Sequence, residues 1–390
     1  MNPFLRSSNV RLIATLLAIL LSLPLAWRGF TGIYLRLSPF IMLNSVLAMK
    51  MLAWLTIPAI IILIVSFLKK RWFCRYLCPV GWFCDKAASQ SSLKKNFSRV
   101  PDFKIWLLWI SIGAAISGFP ILILLDPLAI FSGFFRLFST GFSPPALLLA
   151  AGLPLLIVSN LLYPFLWCNK LCPLGGLQDV LSTFRKRFSL KFQPEKTATE
   201  SPLNRRLFIA VSSGLLAGLV SAATGGTRKQ AFLRPPGSVS ENMFNYLCIR
   251  CGSCINACPS KILFSNAGSN QPLTWMTPEI DFSNYGYCQE DCNLCSTVCP
   301  SGAISYFNER SKRDLKIGYA RIDHENCLLA EPSECNRCLE ACSYQAINFQ
   351  TFETFWHEMP VADTIKCTGC GTCAAICPPL AIKIIPLEIT

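Results

Sequence analysis

The chain has 390 residues, a net charge of +14, 52% hydrophobic residues and a mean hydropathy of +0.42. Only 15% of the residues are charged, against about 25% in ordinary soluble domains, which excludes a disordered tail, a nucleic-acid-binding arm and an ordinary cytosolic enzyme. Residues 1–226 carry a net +17 and residues 227–390 a net −3, and 16 of the 21 Cys lie in the second part. The composition therefore predicts a basic membrane part followed by a mildly acidic, cysteine-rich soluble part.

The basic part contains apolar runs that predict membrane-crossing helices, each of which needs about 20 apolar residues. The runs are 12–27, 51–68, 105–125, 146–166 and 207–223. The N-terminal tail and the loops 69–104 and 167–206 hold 19 Lys and Arg, whereas the alternate side holds 4. Because Lys and Arg are retained in the cytoplasm, the N-terminus and both loops are expected inside, and everything after residue 226 outside.

The fifth apolar run follows the pair Arg205-Arg206, which is typical of a twin-arginine export signal, here placed internally. That route exports folded proteins, as a domain already loaded with metal clusters would require. The alternative is a chance pair of positive-inside arginines. Cleavage after Ser221-Ala222-Ala223 and retention of the run as a helix both stay open.

An internal repeat predicts a metal site in the membrane part. Cys74-x3-Cys78-Pro recurs 94 residues later as Cys168-x3-Cys172-Pro, and two such units suggest a pseudo-twofold axis along the membrane normal. That axis would bring the four thiolates together, and four thiolates can hold one [4Fe–4S] cluster. Structural burial and a zinc site are the alternatives.

The repeat extends beyond these cysteines. Ser38-Pro39 matches Asp126-Pro127 at an offset of 88, and both pairs predict an outer turn before the second helix of each unit. Asp126 is a candidate proton acceptor for a quinol at that turn, with a helix cap as the alternative. Cys84 has Gln178 at its repeat position and is interpreted as a spare small apolar residue.

Four further cysteine motifs occupy the second part at intervals of about 40 residues. They are Cys248, Cys251, Cys254 and Cys258; Cys288, Cys292, Cys295 and Cys299; Cys327, Cys335, Cys338 and Cys342; and Cys367, Cys370, Cys373 and Cys377. In such motifs three close thiolates bind one cubane, and the fourth Cys, at a short helix, reaches a neighbouring cluster. The motifs therefore predict four [4Fe–4S] clusters, each followed by a strand. Nested pairing, first with fourth and second with third, is the expected arrangement.

Other uses of these cysteines are disfavoured. Disulfides do not explain four ferredoxin-like strings, and covalent haem would require C-x-x-C-H, which the sequence lacks. The two histidines, His324 and His357, are interpreted as ordinary polar residues. Ser343 replaces Pro after the third motif, whose first spacing is stretched to seven residues.

The expected fold is a membrane α-helical bundle, made of two repeated helix-pair units plus a fifth helix, joined to an α+β ferredoxin-like domain. The predicted boundaries are 1–190 for the membrane domain, 191–226 for the basic linker and signal or helix, and 227–390 for the polyferredoxin domain.

With these motifs, the chain resembles a fusion of a NapH-type membrane ferredoxin and a NapG-type exported ferredoxin. The paired C-x3-C-P motifs resemble the first, and the twin-arginine stretch with four cluster motifs resembles the second. The resemblance implies a bacterial inner-membrane quinol dehydrogenase component that passes electrons from membrane quinol to a periplasmic reductase or cytochrome. The alternatives are an assembly factor for a metalloenzyme and a membrane polyferredoxin that faces the cytoplasm. No nucleic-acid partner is expected.

Overall fold

The computed structural model describes residues 3–23, 32–51, 54–91, 101–140, 142–190, 203–225, 232–266, 271–331, 333–352 and 358–387. The described residues up to 225 are called the helical half, and those from 232 onward the cysteine-rich half. Of the predicted linker and signal at 191–226, only 203–225 are described. The side chains of Arg205 and Arg206 lie outside the described part.

The helical half is built from short α-helices, several of which begin at proline, where the missing backbone N–H has no cost. They are α1 (Pro3–Ser22), α2 (Pro39–Met49), α3 (Ile57–Leu68), α4 (Trp72–Tyr76), α5 (Pro79–Gln90), α6 (Phe103–Ile116), α7 (Pro127–Thr140), α8 (Pro144–Ala150), α9 (Gly152–Leu162), α10 (Pro173–Leu190) and α11 (Leu203–Gly225). Turns of 3₁₀ helix lie at Tyr34–Leu37, Trp54–Thr56 and Ile123–Leu125, and a π-type turn lies at Trp167–Leu171.

Helices occupy all five predicted apolar runs, but most are shorter than the runs themselves. Among the described residues, one segment, Pro144–Leu162, is long and apolar enough to cross a membrane. Six other apolar helical segments have 10–17 residues. The run at 105–125 is broken because α6 ends at Ile116 and the chain turns through Gly118, whose φ is +92°.

Two of the short helices begin inside the helical half. Ser38 and Asp126, which precede α2 and α7, are both buried, and the Ser38 hydroxyl donates to the Asp126 carboxylate at 2.5 Å. The same carboxylate accepts from the backbone N–H groups of Leu128 and Ala129 at 2.8 and 3.4 Å. The predicted outer turns are therefore wrong, and Asp126 is a buried helix cap. Its enclosure keeps it away from a quinol at the outer surface.

Helix α11 packs closely along α6. A Cβ on Gly214 would overlap the backbone of Ile110, and a Cβ on Gly218, one turn later, would overlap Ser117. Contact partners thus advance in the same direction along both helices, so α6 and α11 run parallel. Small residues that let two backbones approach are the usual means of packing helices in an apolar environment.

The cysteine-rich half alternates short helices with two-stranded sheets. Its helices are α12 (Glu241–Leu247), α13 (Ser253–Ala257), α14 (Leu294–Thr297), α15 (Arg337–Glu340) and α16 (Thr372–Ile376). Its strands are β1 (Leu263–Ser265), β2 (Pro278–Ile280), β3 (Gly318–Ile322), β4 (Ile347–Thr351), β5 (Glu358–Ala362) and β6 (Ile382–Pro386). Shorter 3₁₀ turns lie at Pro272–Thr274, Ser311–Asp314 and Leu328–Ala330.

The strands pair antiparallel as β1 with β2, β3 with β6 and β4 with β5. Strands were expected after all four cysteine motifs, and β1, β4 and β6 follow the first, third and fourth. The segment after the second motif forms only a single bridge, between Ile304 and Ser238.

The two halves pack against each other at one end of the helical half. Gly32 lies against the backbone of Val298, and Met49 lies against Gly302. Phe119 and Tyr246 make an edge-to-face ring contact at 5.3 Å between centroids. The ends of α2 and α6 thus support the cysteine-rich half.

The α6–α11 contact is open to a direct test. Gly214→Leu is expected to lower the free energy of unfolding by about 1–3 kcal/mol, because the new side chain must displace the backbone of α6. The measurement is denaturant titration of the purified full-length protein. Leu216→Val, on the exposed side of α11, is the control. Equal stability of the two variants would contradict the close packing.

Candidate iron–sulfur centres

The repeated cysteines of the helical half surround one cavity. Cys74 lies in α4, Cys168 lies in the π-type turn, and Cys78 and Cys172 immediately precede α5 and α10. All four line a cavity of about 470 Å³. The structure thus brings together the four thiols that the repeat predicted, here called the four-cysteine site.

The repeat is also visible in the hydrogen bonds of this site. Cys78 accepts from the N–H of Gly81, and Cys172 accepts from the N–H of Gly175, both at 3.4 Å. Each of these thiols therefore sits at the first turn of a helix, where free N–H groups and the helix dipole stabilise a thiolate. This environment suits a cluster held by anionic sulfur.

Cys84 lies in the apolar core of the helical half, as expected of a small apolar residue, and does not line the four-cysteine cavity. It is fully buried and lies beside the Cys168 thiol. Its repeat partner Gln178 donates through Nε2 to Cys74 Sγ at 3.3 Å. Each of the two positions therefore contacts the first Cys of the opposite repeat. The sequence signal for this was the shared offset of 94 residues.

Basic side chains surround the four-cysteine site and are held by the repeated aspartates. Arg11 pairs with Asp85. Arg71 binds Asp179 with two hydrogen bonds, at 2.8 and 2.5 Å, and Lys104 reaches the same carboxylate at 2.7 Å. These aspartates orient cations around the cavity, and the resulting positive field favours a negatively charged cluster.

The cysteine-rich half forms its sites from neighbouring motifs. One cavity is lined by Cys258 together with the first three Cys of the second motif. A second is lined by Cys377 with the first three Cys of the third motif, and a third by Cys342 with those of the fourth. Cys299 lies beside the first three Cys of the first motif. The motifs therefore pair first with second and third with fourth.

The expected nested pairing was wrong. Helix α13 packs against α14, and α15 against α16, so each fourth Cys ends a helix that already lies on its sequence neighbour. A 3₁₀ turn at Leu328–Ala330 accommodates the stretched spacing of the third motif. Cys342 reaches its site without the following proline, and its sulfur accepts from the N–H of Ala346 at 3.3 Å.

The donor set fits iron–sulfur clusters better than single metal ions. Within the described ranges, no three His, Cys, Asp or Glu side chains converge closely enough to hold one ion. The thiols instead surround cavities and accept backbone N–H bonds, as Cys299 does from Ile304 and Cys367 from Ala320, both at 3.4 Å. Hydrogen bonds to sulfur of this kind tune a cluster.

Burial controls the protonation of these thiols. It raises the pKa of Cys251 to about 11, and it raises the pKa of Cys288 to about 11 despite the nearby Lys312. At neutral pH the metal-free thiols are therefore protonated. Cluster binding must displace those protons, which makes it more favourable as the pH rises.

His324 does not line any of the described cysteine cavities. His324 Nε2 lies 3.0 Å from the carbonyl of Pro360, and its ring packs on Phe352. His357 lies outside the described residues.

The neighbour pairing predicts which centre a single cysteine supports. Cys258→Ser is expected to abolish the centre on Cys288, Cys292 and Cys295 and to preserve the centre on its own motif. Cys377→Ser is the matched variant and should remove the centre of the third motif. Iron content and electron paramagnetic resonance (EPR) spectra of the purified variants distinguish these outcomes. Loss of the fourth motif's centre in the Cys258 variant would restore the nested arrangement.

Known proteins share the features described above. A family model described as "4Fe-4S binding domain" matches residues 51–98 and 143–191, and one described as "4Fe-4S dicluster domain" matches 247–303 and 333–381. The second model joins the same neighbouring motifs that the structure pairs. No solved structure matches the chain.

Relatives of the chain are ferredoxin-type proteins. The methylamine utilization ferredoxin-type protein MauM of Methylobacillus flagellatus is 31% identical over 50% of this chain and 86% of its own length. The ferredoxin-type protein NapG of Escherichia coli K12 is 35% identical over 40% of this chain and 71% of its own. NapF of the same organism is 33% identical over 43% and 90%. The chain therefore belongs to the 4Fe-4S ferredoxin-type family of electron-transfer proteins.

Proposed function

We propose that the protein is embedded in the bacterial inner membrane and passes electrons from membrane quinol to an acceptor on the periplasmic side. The observation that carries this proposal is the placement of two kinds of cysteine site at different levels of one molecule. The four-cysteine site lies within the helical half, and the cysteine-rich half is docked on one end of the same helices. This arrangement suits a fusion of NapH-like and NapG-like functions.

The surface of the helical half supports a membrane location. Large apolar side chains are exposed along α1, α3, α8, α9 and α11, where water would make their exposure unfavourable and lipid would not. They include Leu16, Leu17, Ile57, Ile61, Ile64, Leu148, Leu155, Val158, Phe208, Leu216 and Leu219. The non-helical turns before α2 and α7 are enclosed by protein, which is the condition for irregular backbone at membrane depth.

The charges support the orientation with the basic loops in the cytoplasm. Arg11, Arg71 and Lys104 gather around the four-cysteine site, at the start of α6. The cysteine-rich half packs beyond the opposite end of α6. Because α11 runs parallel to α6, a crossing by α11 would leave the following residues on the periplasmic side. Close packing on α6 favours a retained helix over a cleaved signal.

The cavity at the four-cysteine site supports electron entry there. It is far larger than the 20–30 Å³ spaces at three sites of the cysteine-rich half, and Phe165 and Trp167 form part of its wall. A bound [4Fe–4S] cluster would accept electrons singly. Oxidation of one quinol releases two electrons and two protons, and the open basic face lets those protons reach water.

The sidedness is tested by protease treatment of intact spheroplasts, followed by immunodetection of the C-terminus. We expect the cysteine-rich half to be digested without membrane disruption. Protection until the membrane is broken would place that half in the cytoplasm and overturn the periplasmic direction of transfer.

The quinol link is tested separately in isolated membranes. Duroquinol is expected to reduce the EPR-active centres of the wild-type protein, and Cys74→Ser is expected to abolish that reduction while the four centres of the cysteine-rich half stay assembled. Cys335→Ser, which removes a distant centre, is the matched control and should retain reduction of the others. Duroquinol reduction that survives Cys74→Ser would show that electrons do not enter at the four-cysteine site.

A further inference from the structure

We infer that Tyr34, Phe131 and Phe135 form an electron-transfer bridge between the four-cysteine site and the first site of the cysteine-rich half. The first site comprises Cys248, Cys251, Cys254 and Cys299. This inference rests on the proposed electron-transfer function. Helices that crossed the whole hydrocarbon layer would separate the two sites by about 30 Å. The inference specifies how the two sites are connected instead.

The bridge begins where the chain touches the first site. Gly32 has a φ of +91°, and a Cβ there would lie 2.6 Å from the carbonyl oxygen of Val298 and 2.9 Å from the Ser253 hydroxyl. Val298 and Ser253 are the immediate neighbours of Cys299 and Cys254. Only glycine allows the backbone to approach this closely.

Tyr34, two residues further on, reaches the other site. Its side chain is buried, and its hydroxyl donates to the carbonyl oxygen of Leu77 at 2.6 Å. Leu77 directly precedes Cys78. Ile33 is helical, and two residues of backbone span at most about 7 Å, so the segment from Gly32 to Tyr34 contacts the surroundings of both sites over a short distance.

Aromatic rings continue this contact through the core. The centroid of Phe131 lies 6.5 Å from that of Tyr34, and the centroid of Phe135 lies 4.8 Å from that of Phe131. Both phenylalanines are buried in a core that also contains Ile249, and Cys251 packs against that core. One apolar core therefore extends from the rings beside Leu77 to the first motif.

Arg136 fixes the outer end of the bridge. Its buried guanidinium donates to the carbonyl oxygen of Arg250 and to the hydroxyl of Ser265. It also lies within electrostatic range of Cys248, Cys251 and Cys254. At the other end of α7, Pro127 lines the four-cysteine cavity. Since a helix rises 1.5 Å per residue, α7 spans about 14 Å between these two residues, and each of them contacts the surroundings of one site.

Short distance and continuous packing matter because electron tunnelling falls steeply with distance and across gaps. A cluster held by the four-cysteine site would lose one electron, and a cluster held by Cys248, Cys251, Cys254 and Cys299 would gain it. No proton or bond is exchanged. The rings serve as the medium, and Tyr34 keeps its hydrogen bond to Leu77 throughout.

The separation is tested by EPR on dithionite-reduced, purified holoprotein, without quinol. The centre at the four-cysteine site is expected to relax rapidly through magnetic coupling to the first site. Cys254→Ser should slow this relaxation, whereas Cys338→Ser, in the third motif, should not. Relaxation that is insensitive to Cys254→Ser would overturn the inference, whatever the result with quinol.

The bridge itself is tested by freeze-quench EPR after a substoichiometric pulse of reduced methyl viologen. Phe131→Leu and Tyr34→Leu are expected to slow redistribution of the electron between the two centres and to preserve the spectrum of each. Tyr34→Phe keeps the ring and should retain most of the rate. Phe138→Leu, exposed on the same helix, is the control. Unchanged rates in both bridge variants would exclude these rings as the path.

Discussion

The hydrogen bond between Ser38 and Asp126 is the contact on which the arrangement of the helical half depends. It joins equivalent positions of the two repeats, and the Asp126 carboxylate also caps α7. A carboxylate buried without hydrogen-bond donors would be unfavourable, so the buried Asp126 is stable only while the turns before α2 and α7 lie together. The contact therefore fixes where α2 and α7 begin. Further along these helices, Met49 and Arg136 in turn contact the cysteine-rich half.

Much of the cysteine chemistry could be predicted from the sequence, because thiol spacing within one loop and helix is a local property. The offset of 94 residues likewise predicted that Cys74 and Cys172 would meet. Pairing of the four motifs could not be predicted, since it depends on which helices pack together rather than on the spacing in any motif. Burial of Cys84 agrees with its interpretation as a small apolar residue, whereas its position beside Cys168 depends on how the two repeats pack.

The half-length helices were missed for a different reason. An apolar run of 11–14 residues has the same composition whether it forms part of a crossing helix or a helix that begins inside the protein. Only the partner of its first turn distinguishes the two cases, and for α7 that partner is Ser38, 88 residues away. The matching of Ser38-Pro39 with Asp126-Pro127 contained this information. An aspartate before proline was, however, equally consistent with a cap at a membrane surface.

The half-length helices also explain why the two cysteine systems can work as one. A helix that crosses the whole hydrocarbon layer separates its ends by about 30 Å, whereas α7 spans about 14 Å between Pro127 and Arg136. Starting α7 inside the helical half therefore lets one end line the four-cysteine cavity while the other contacts the first motif. The buried Arg136 adds a positive charge beside thiolates that burial alone would disfavour. The short helix α7 thus contacts both cysteine sites and also places a positive charge beside the first one.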